Sequence, residues 1–311
     1  MTMTWNGVMP AITTPFKPDG AVDHEFLARH ALWMLDAGCT GIVALGSLGE
    51  VATLSTGEKL DVLRTLAKAL AGRVPLVTGI AALSTDAACA LAREAAQIGC
   101  AGLMVLPPYV YTSDWREMRA HVSAVIAATP LPCMLYNNPI AYRTDFRPEH
   151  VAELAQAHDN LVAVKESSAD VRRIAAIRHL LGSRLQILVG VDDLIVEGIA
   201  AGATGWVAGL VNAMPVESVR LFDLAMRAAT SDGATAAQAR AAADKLYGWF
   251  LPLLTLDTVP KFIQLIKLVQ QEVGHGHERV RSPRLVLAGA EREDALALIA
   301  EALATRPGNH A

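Results

Sequence analysis

Leu161-Val162-Ala163-Val164-Lys165-Glu166-Ser167-Ser168 sets four apolar residues in a row before a lysine. An unbroken apolar run of that length reads as a parallel strand buried on both faces, and this one ends in an amine. Lysine is seldom fully buried without a partner, because burial disfavours the charged form of an amine. A neutral amine is a nucleophile. It adds to a carbonyl carbon and, after loss of water, leaves a protonated Schiff base that accepts electrons from a neighbouring bond. The blander alternative is a lysine whose stem covers apolar surface while its head reaches water.

Outward from this strand the chain repeats one pattern: an apolar strand, a Gly/Pro/polar turn and an alanine-rich amphipathic helix. The expected strands are residues 8–13, 41–45, 76–80, 102–106, 133–136, 161–165, 186–189 and 205–208. The expected helices are residues 23–37, 56–70, 85–98, 113–128, 148–157, 171–181, 194–201 and 215–228. Eight strand-helix units argue for an α/β fold of the (β/α)8 TIM barrel type rather than an open sheet. Gly38, Gly99 and Gly202 stand where a helix needs a left-handed residue to stop it. Beyond residue 229 the strands cease, and residues 234–254, 259–273 and 292–303 read as helices. The expected division is therefore a catalytic barrel over 1–228 and a helical C-terminal extension over 229–311, frayed from about residue 305.

Composition agrees with one large core. The chain has 311 residues, 52% of them apolar and only 19% charged, as buried parallel strands require. A net charge of -4 gives no basic footprint for nucleic acid and no polybasic patch for a membrane. Residues 194–216 are the longest apolar stretch, but Glu197, Asn212 and four glycines interrupt it, so it divides into helix, turn and strand. Cys39, Cys89, Cys100 and Cys133 show no CxxC pair and no metal-ligand spacing. They read as small core residues of a reduced cytoplasmic protein, and the first residues show no secretion signal.

In a TIM barrel, chemistry collects at the C-terminal ends of the strands. The first strand ends in Thr13-Thr14-Pro15-Phe16, and the second in Gly46-Ser47-Leu48-Gly49-Glu50. The latter turn brings backbone N–H groups and one hydroxyl to the mouth, which suits a carboxylate. The fifth ends in Tyr136-Asn137-Asn138-Pro139, and a phenol near the lysine amine would pass protons to and from a carbinolamine. The seventh ends in Gly190-Val191-Asp192-Asp193, whose aspartates read as caps for the next helix, as Asp170 does for its own. Gly274-His275-Gly276-His277 reads as a solvated helix end, with no third ligand nearby for a metal. The spacing of Phe262, Leu265, Ile266, Leu268 and Val269 is that of a helix facing the core or another subunit.

These turns, in this order, resemble the lysine-dependent class I aldolases of the dihydrodipicolinate synthase and N-acetylneuraminate lyase type. That family carries a GxxGE turn after strand two, a YNxP turn after strand five and a Schiff-base lysine followed by glutamate on strand six. Here these are Gly46 to Glu50, Tyr136 to Pro139, and Lys165-Glu166. The resemblance runs from Gly7 to the last helices. It implies that Lys165 is the imine-forming nucleophile and Tyr136 the proton shuttle and lid, and that Ser47 with nearby N–H groups binds the 2-oxo-acid carboxylate. It also implies a homotetramer built as a dimer of dimers, with no metal or organic cofactor, acting on a small 2-oxo acid. Thr13, Leu48, Arg143 and Ala208 join Ser47 as expected substrate-binding positions, with Tyr111 and Asn212 as further candidates for the distal end of the substrate.

The chain departs from the family at several positions. Dihydrodipicolinate synthase has a second threonine after strand two and a second tyrosine after strand four; Leu48 and Val110 stand there and carry no transferable proton. Its arginine for the aldehyde's carboxylate is matched by Ala141, with Arg143 the nearest replacement in a loop longer by about two residues. Thr56 and Lys59 stand at the histidines of its regulatory site. The GSLGE and YNNP turns look closer to a catabolic branch, such as the 1-pyrroline-4-hydroxy-2-carboxylate deaminases of hydroxyproline breakdown. The expected function is thus a Schiff-base lyase or deaminase of that branch. The alternatives are a retro-aldolase or dehydratase for a 2-keto-3-deoxy acid or 4-hydroxy-2-oxoglutarate, then a 4-hydroxy-tetrahydrodipicolinate synthase, then a non-catalytic barrel that binds a small acid.

Overall fold

The structure is a computed structural model that describes residues 3–108, 111 and 113–308. The elements follow one another as β1 (Gly7–Pro10), α1 (His24–Asp36), β2 (Ile42–Ala44), α2 (Thr56–Leu70), β3 (Leu76–Ile80), α3 (Thr85–Ile98), β4 (Gly102–Val105) and α4 (Trp115–Ala127). The second half runs β5 (Cys133–Asn137), α5 (Pro139–Tyr142), α6 (Pro148–Ala157), β6 (Leu161–Glu166), α7 (Arg172–Leu181), β7 (Gln186–Val189), α8 (Ile195–Ala200), β8 (Gly205–Ala208) and α9 (Pro215–Thr230). Three helices complete the chain: α10 (Gly233–Leu254), α11 (Phe262–Glu272) and α12 (Gly289–Ala304).

The eight strands are parallel in the order β1-β8-β7-β6-β5-β4-β3-β2. The ring closes where Ala11 pairs with Val43 and the Ile12 N–H donates to the Val43 carbonyl at 3.0 Å. This is the expected TIM barrel. Gly38, Gly99 and Gly202 have φ of 103°, 98° and 106°, the left-handed conformation that ends a helix without a Cβ penalty. At the start of α2, Ser55 and Glu58 cap one another's backbone N–H groups reciprocally. All four cysteines are free and buried, and burial pushes the thiols of Cys39, Cys100 and Cys133 up to about 12. No helix among the described residues is long and apolar enough to cross a membrane.

Four departures from the sequence reading stand out. β1 stops at Pro10 rather than at residue 13, because the Thr13 N–H turns away to the side chain of Asn212 at 3.0 Å. α5 was not expected, although Asn138 as its N-cap and Pro139 at its first position are the usual start signals. α11 is buried within this chain on every side from Ile263 to Gln270, so its apolar pattern does not face another subunit. Its polar residues Gln264, Lys267 and Gln270 are buried too and reach back into the barrel. His275 is not a solvated helix end: its ring stacks on Trp33 of α1, with centroids 3.9 Å apart.

His30 of α1 is enclosed where α11 meets the barrel, stacked between Phe26 and Trp33 and bonded to Asn212 and Gln270. Burial lowers its pKa to about 4. The unfolded chain takes up this proton near pH 6.5, whereas the folded chain resists until about pH 4, so the neutral ring's contribution to stability is lost as the pH falls through that window. Chemical denaturation of wild type and His30→Gln at each pH should show their stability difference shifting against wild type by about 3 kcal/mol between pH 6.5 and pH 4. A difference that does not change with pH would contradict a buried neutral His30.

Candidate active site

Tyr136 and Lys165 are direct partners in the β5–β6 register, as are Asn137 and Glu166. In-register residues of parallel strands project to the same side, so the phenol and the amine enter the same space. Lys165 is 6% exposed and Tyr136 4%. The Lys165 Nζ lies 4.4 Å from the centre of the Tyr136 ring, close enough for a cation–π contact when charged. It makes no hydrogen bond or ion pair among the described residues. Its stem runs over Gly190: a Cβ there would stand 2.4 Å from Lys165 Cε and 1.9 Å from Ser167 Oγ. Only glycine leaves the channel through which the lysine reaches the mouth.

The residues beside the pair serve as scaffold. Glu166 accepts from Asn137 Nδ2 at 3.1 Å and from the Ser168 N–H at 2.7 Å, and burial raises its pKa despite these bonds. The Asn137 side-chain Oδ1 accepts from the Phe146 N–H at 3.0 Å, so this one side-chain amide ties the ends of β5 and β6 to the loop after α5. Asp145, held low in pKa by Arg173, closes the outer edge. Asp170 stands one residue before the N-cap of α7, Val171, and accepts from the Arg172 N–H at 3.1 Å in the turn that leads into the helix.

Asp192 does not cap the next helix. It is fully buried and accepts from Trp206 Nε1 at 2.9 Å, the Gly209 N–H at 3.0 Å and the Leu210 N–H at 2.7 Å. Across Gly209 stands Asp257, from the turn between α10 and α11; a Cβ on Gly209 would lie 2.1 Å from its Oδ1. Burial raises the pKa of both carboxyls; Asp192 raises that of Asp257 further, and the charge of Lys165 pulls both down. Two carboxyls on the β7 and β8 side therefore lie near enough to interact with a charge on the amine. Such charges favour a cation at Nζ, the form an iminium takes.

The turn after β2 forms the opposite wall. The N–H groups of Ser47, Leu48 and Gly49 donate to nothing among the described residues, leaving a concave set of donors of the kind that holds a carboxylate. The Ser47 hydroxyl bonds instead to the hydroxyl of Tyr142 at the end of α5. Leu48 is 3% exposed and packs into the core. Glu50 carries the turn's charge inward to Lys267 of α11, whose ammonium also donates to the carbonyls of Thr14 at 2.8 Å and Arg279 at 2.9 Å. That bridge fixes the turn from behind.

The remaining expected positions are placed as follows. The Thr13 hydroxyl donates to Gln270 Oε1 at 3.0 Å, which commits it to the contact with α11. Ala208 ends β8 and is fully buried beside Gly209. Asn212 is buried and braces β1 through the Ala11 carbonyl and the Thr13 N–H. Arg143 follows α5 in the left-handed conformation, exposed and without an ion-pair partner among the described residues. Val110 lies outside the described residues. Sequence reasoning missed Tyr142, Asp257 and Lys267. Lys267 had a signal, since Gln264, Lys267 and Gln270 recur every three residues along an otherwise apolar helix; Tyr142, ending the one-turn α5, and Asp257, in the turn before α11, had none.

The model of the Dihydrodipicolinate synthetase family matches residues 4–302. A 4-hydroxy-tetrahydrodipicolinate synthase of Xanthomonas axonopodis pv. citri is 36% identical over 303 residues, 97% of this chain and 96% of that one. The enzyme of the same name from Pelobacter propionicus is 33% identical over 219 residues, 70% of this chain and 75% of its own. Among solved structures, a dihydrodipicolinate synthase of Bacillus anthracis superposes with a TM-score of 0.88 at 25% identity, covering 98% of this chain and all of that one (100%). The 4-hydroxy-tetrahydrodipicolinate synthase of Methylacidiphilum fumariolicum gives 0.87 at 27% identity, with 97% and 98% covered.

Gly190→Ala should displace the Lys165 stem while leaving the barrel folded, because the atoms it meets are side-chain atoms. A misplacement of this kind costs about 100-fold in turnover. Steady-state kinetics beside a thermal melt checks this, and near-normal turnover would contradict the packing described.

Proposed function

Because the chain belongs to the dihydrodipicolinate synthetase family and is a lysine-dependent class I lyase, we propose that Lys165 forms an imine with a small 2-oxo acid and that Tyr136 handles its protons. The observation that carries this reading is the buried Lys165 amine, free of hydrogen bonds among the described residues and held over the Tyr136 ring. Addition of Nζ to C2 gives a carbinolamine. Tyr136 protonates the departing hydroxyl, water leaves, and the protonated imine draws electrons from C3. The resulting enamine either attacks an aldehyde or, in reverse, is released when the C3–C4 bond breaks. The free N–H groups of Ser47 to Gly49 receive the substrate's carboxylate.

Carbon–carbon bond formation or cleavage beside the imine is the reading that similarity supports, since the relatives carry the name 4-hydroxy-tetrahydrodipicolinate synthase. The exposed Arg143, without an ion-pair partner among the described residues, supports a substrate or partner aldehyde with a second carboxylate. A second reading is favoured by Leu48, apolar and buried where the synthase has a hydroxyl: deamination of 1-pyrroline-4-hydroxy-2-carboxylate, in hydroxyproline catabolism. There Lys165 adds to the cyclic imine carbon, the enamine expels the 4-hydroxyl as water, and hydrolysis releases ammonia and 2,5-dioxopentanoate. We further propose a cytoplasmic homotetramer; the exposed Leu83 and Tyr111 beside the mouth support burial of that face between copies.

A product-resolved assay separates these readings. Purified protein is given pyruvate with aspartate semialdehyde, 4-hydroxy-2-oxoglutarate or 2-keto-3-deoxy acids, and the hydroxypyrroline carboxylate. Cyclic condensation product or released pyruvate supports carbon–carbon chemistry, whereas ammonia supports the deaminase. Turnover of none of them contradicts the lyase reading of this site.

A further inference from the structure

The first two proton transfers of the reaction above cancel. When the C2–O bond of the carbinolamine breaks, the nitrogen lone pair forms C=N and the oxygen leaves as water with the proton of Tyr136. The phenolate then takes a proton from C3, the C–H electrons form C2=C3, and the C=N pair returns to nitrogen. Tyr136 is restored at the enamine. The next proton goes to an oxygen on C4 in either reading, and no residue assigned so far supplies it. An enamine that attacks an aldehyde pushes the C=O pair onto that oxygen; an enamine that expels a 4-hydroxyl releases it as water. In each case nitrogen becomes an iminium and the acid is left as an anion.

The carboxyl of Asp257 is placed for that step. Thr255 and Thr258 shape the turn after α10 by donating to the Pro252 and Thr255 carbonyls, at 2.8 Å each. This turn lays Asp257 against Gly209, the first residue past β8: a Cβ on Gly209 would stand 2.7 Å from Asp257 Cγ and 3.2 Å from its Oδ2. The carboxyl therefore sits at the catalytic end of the barrel. Other sides of the mouth are taken. Tyr136 covers Nζ from β5, and the N–H groups after β2 receive the C1 carboxylate, which leaves C3 and C4 to extend toward β7 and β8.

Asp192 and Asp257 are not equivalent. Asp192 accepts from three N–H donors, which favour its charged form. Asp257 makes no hydrogen bond or ion pair among the described residues. It sits deep in the mouth, where burial and the neighbouring Asp192 raise its pKa, yet the residue is half-buried rather than sealed. Asp193 adds negative charge from the turn after β7, and Lys165 is the cation within range. From α10, Tyr247 bonds to the Asp193 carbonyl; from α11, Lys267 is turned to Glu50. The pair thus keeps one proton, on the carboxyl that no N–H group claims.

Resting on the lysine-imine reading, we infer that Asp257 is a second catalytic acid, which protonates the oxygen on C4 of the bound substrate as the enamine attacks an aldehyde or expels a 4-hydroxyl. The carboxylate so formed balances the iminium formed in the same step, and hydrolysis of that iminium releases the proton that restores the acid. In cleavage the carboxylate takes the proton of the C4 hydroxyl as the C3–C4 bond breaks.

The test separates C3 from C4 chemistry in the full chain. Exchange of the pyruvate methyl protons in D2O, followed by NMR, needs only the imine and Tyr136. Turnover of pyruvate with aspartate semialdehyde, 4-hydroxy-2-oxoglutarate, a 2-keto-3-deoxy acid or the hydroxypyrroline carboxylate also needs the C4 acid, and the compounds that wild type converts are used. Asp257→Asn keeps the shape and neutrality of the protonated carboxyl, so it should melt as wild type does and exchange methyl protons within about threefold. Its maximal turnover should fall about 100-fold or more. Asp257→Ala repeats the comparison if the Asn variant does not fold. Turnover within about threefold of wild type overturns the inference. So does a loss of exchange equal to the loss of turnover, which would assign the carboxyl to Lys165 rather than to C4. Wild type that exchanges but converts none of these compounds overturns the C4 step while the imine stands; wild type that does not exchange overturns the imine reading itself.

Discussion

An amine buried at the end of a parallel strand with no hydrogen bond among the described residues is a costly arrangement, and much of this molecule is built to sustain it. Lys165 keeps its reach only because Gly190 has no Cβ to obstruct the stem. The Tyr136 face and the carboxyls of Asp192 and Asp257 surround it without bonding to Nζ. A direct ion pair would stabilise the ammonium and suppress its nucleophilicity. Charges held back from Nζ but near enough to interact with a cation there are what an iminium, if one forms, would need. The barrel supplies the frame: β5 and β6 are locked at their ends by Asn137 and Glu166, so phenol and amine stay in register.

The C-terminal helices belong to the same arrangement. Gln270 takes the Thr13 hydroxyl, and Lys267 joins Glu50 and the Thr14 carbonyl, so the loops after β1 and β2 are both held from α11. Burial lowers the pKa of Lys267, and the Glu50 carboxylate opposes that effect. Removing one member of such a buried pair costs about 3–5 kcal/mol, because the other charge is left uncompensated. Asp257 arrives from the turn that precedes this helix. The residues after the last strand thus shape the mouth from two sides.

Much of the fold was legible because its signals are local. Apolar runs between helix-stop glycines located all eight strands, and the ends of α2, α3 and α6 fall at the expected residues. Lys165 and Tyr136 were legible because a polar group at the end of a buried strand violates the apolar pattern. The partners of that pair were not. Asp192 looks like any helix cap until β8 brings the Gly209 and Leu210 N–H groups to it, a meeting set by tertiary closure rather than by neighbours in sequence. Tyr142 reaches Ser47 across 95 positions of chain, and α5, which aims it, is a single turn. Thr13 reads as a mouth residue by its place after β1, yet its hydroxyl is claimed by a helix more than 250 residues away, at a separation of 257.

Lysine chemistry at this site is tested most directly by reduction with borohydride in the presence of pyruvate, followed by intact mass and peptide mapping. The account predicts a single stable adduct on Lys165 that is absent from Lys165→Ala, with Lys267 unmodified because its ammonium is held by Glu50 and two carbonyls. No adduct, or an adduct that persists in Lys165→Ala, would contradict it.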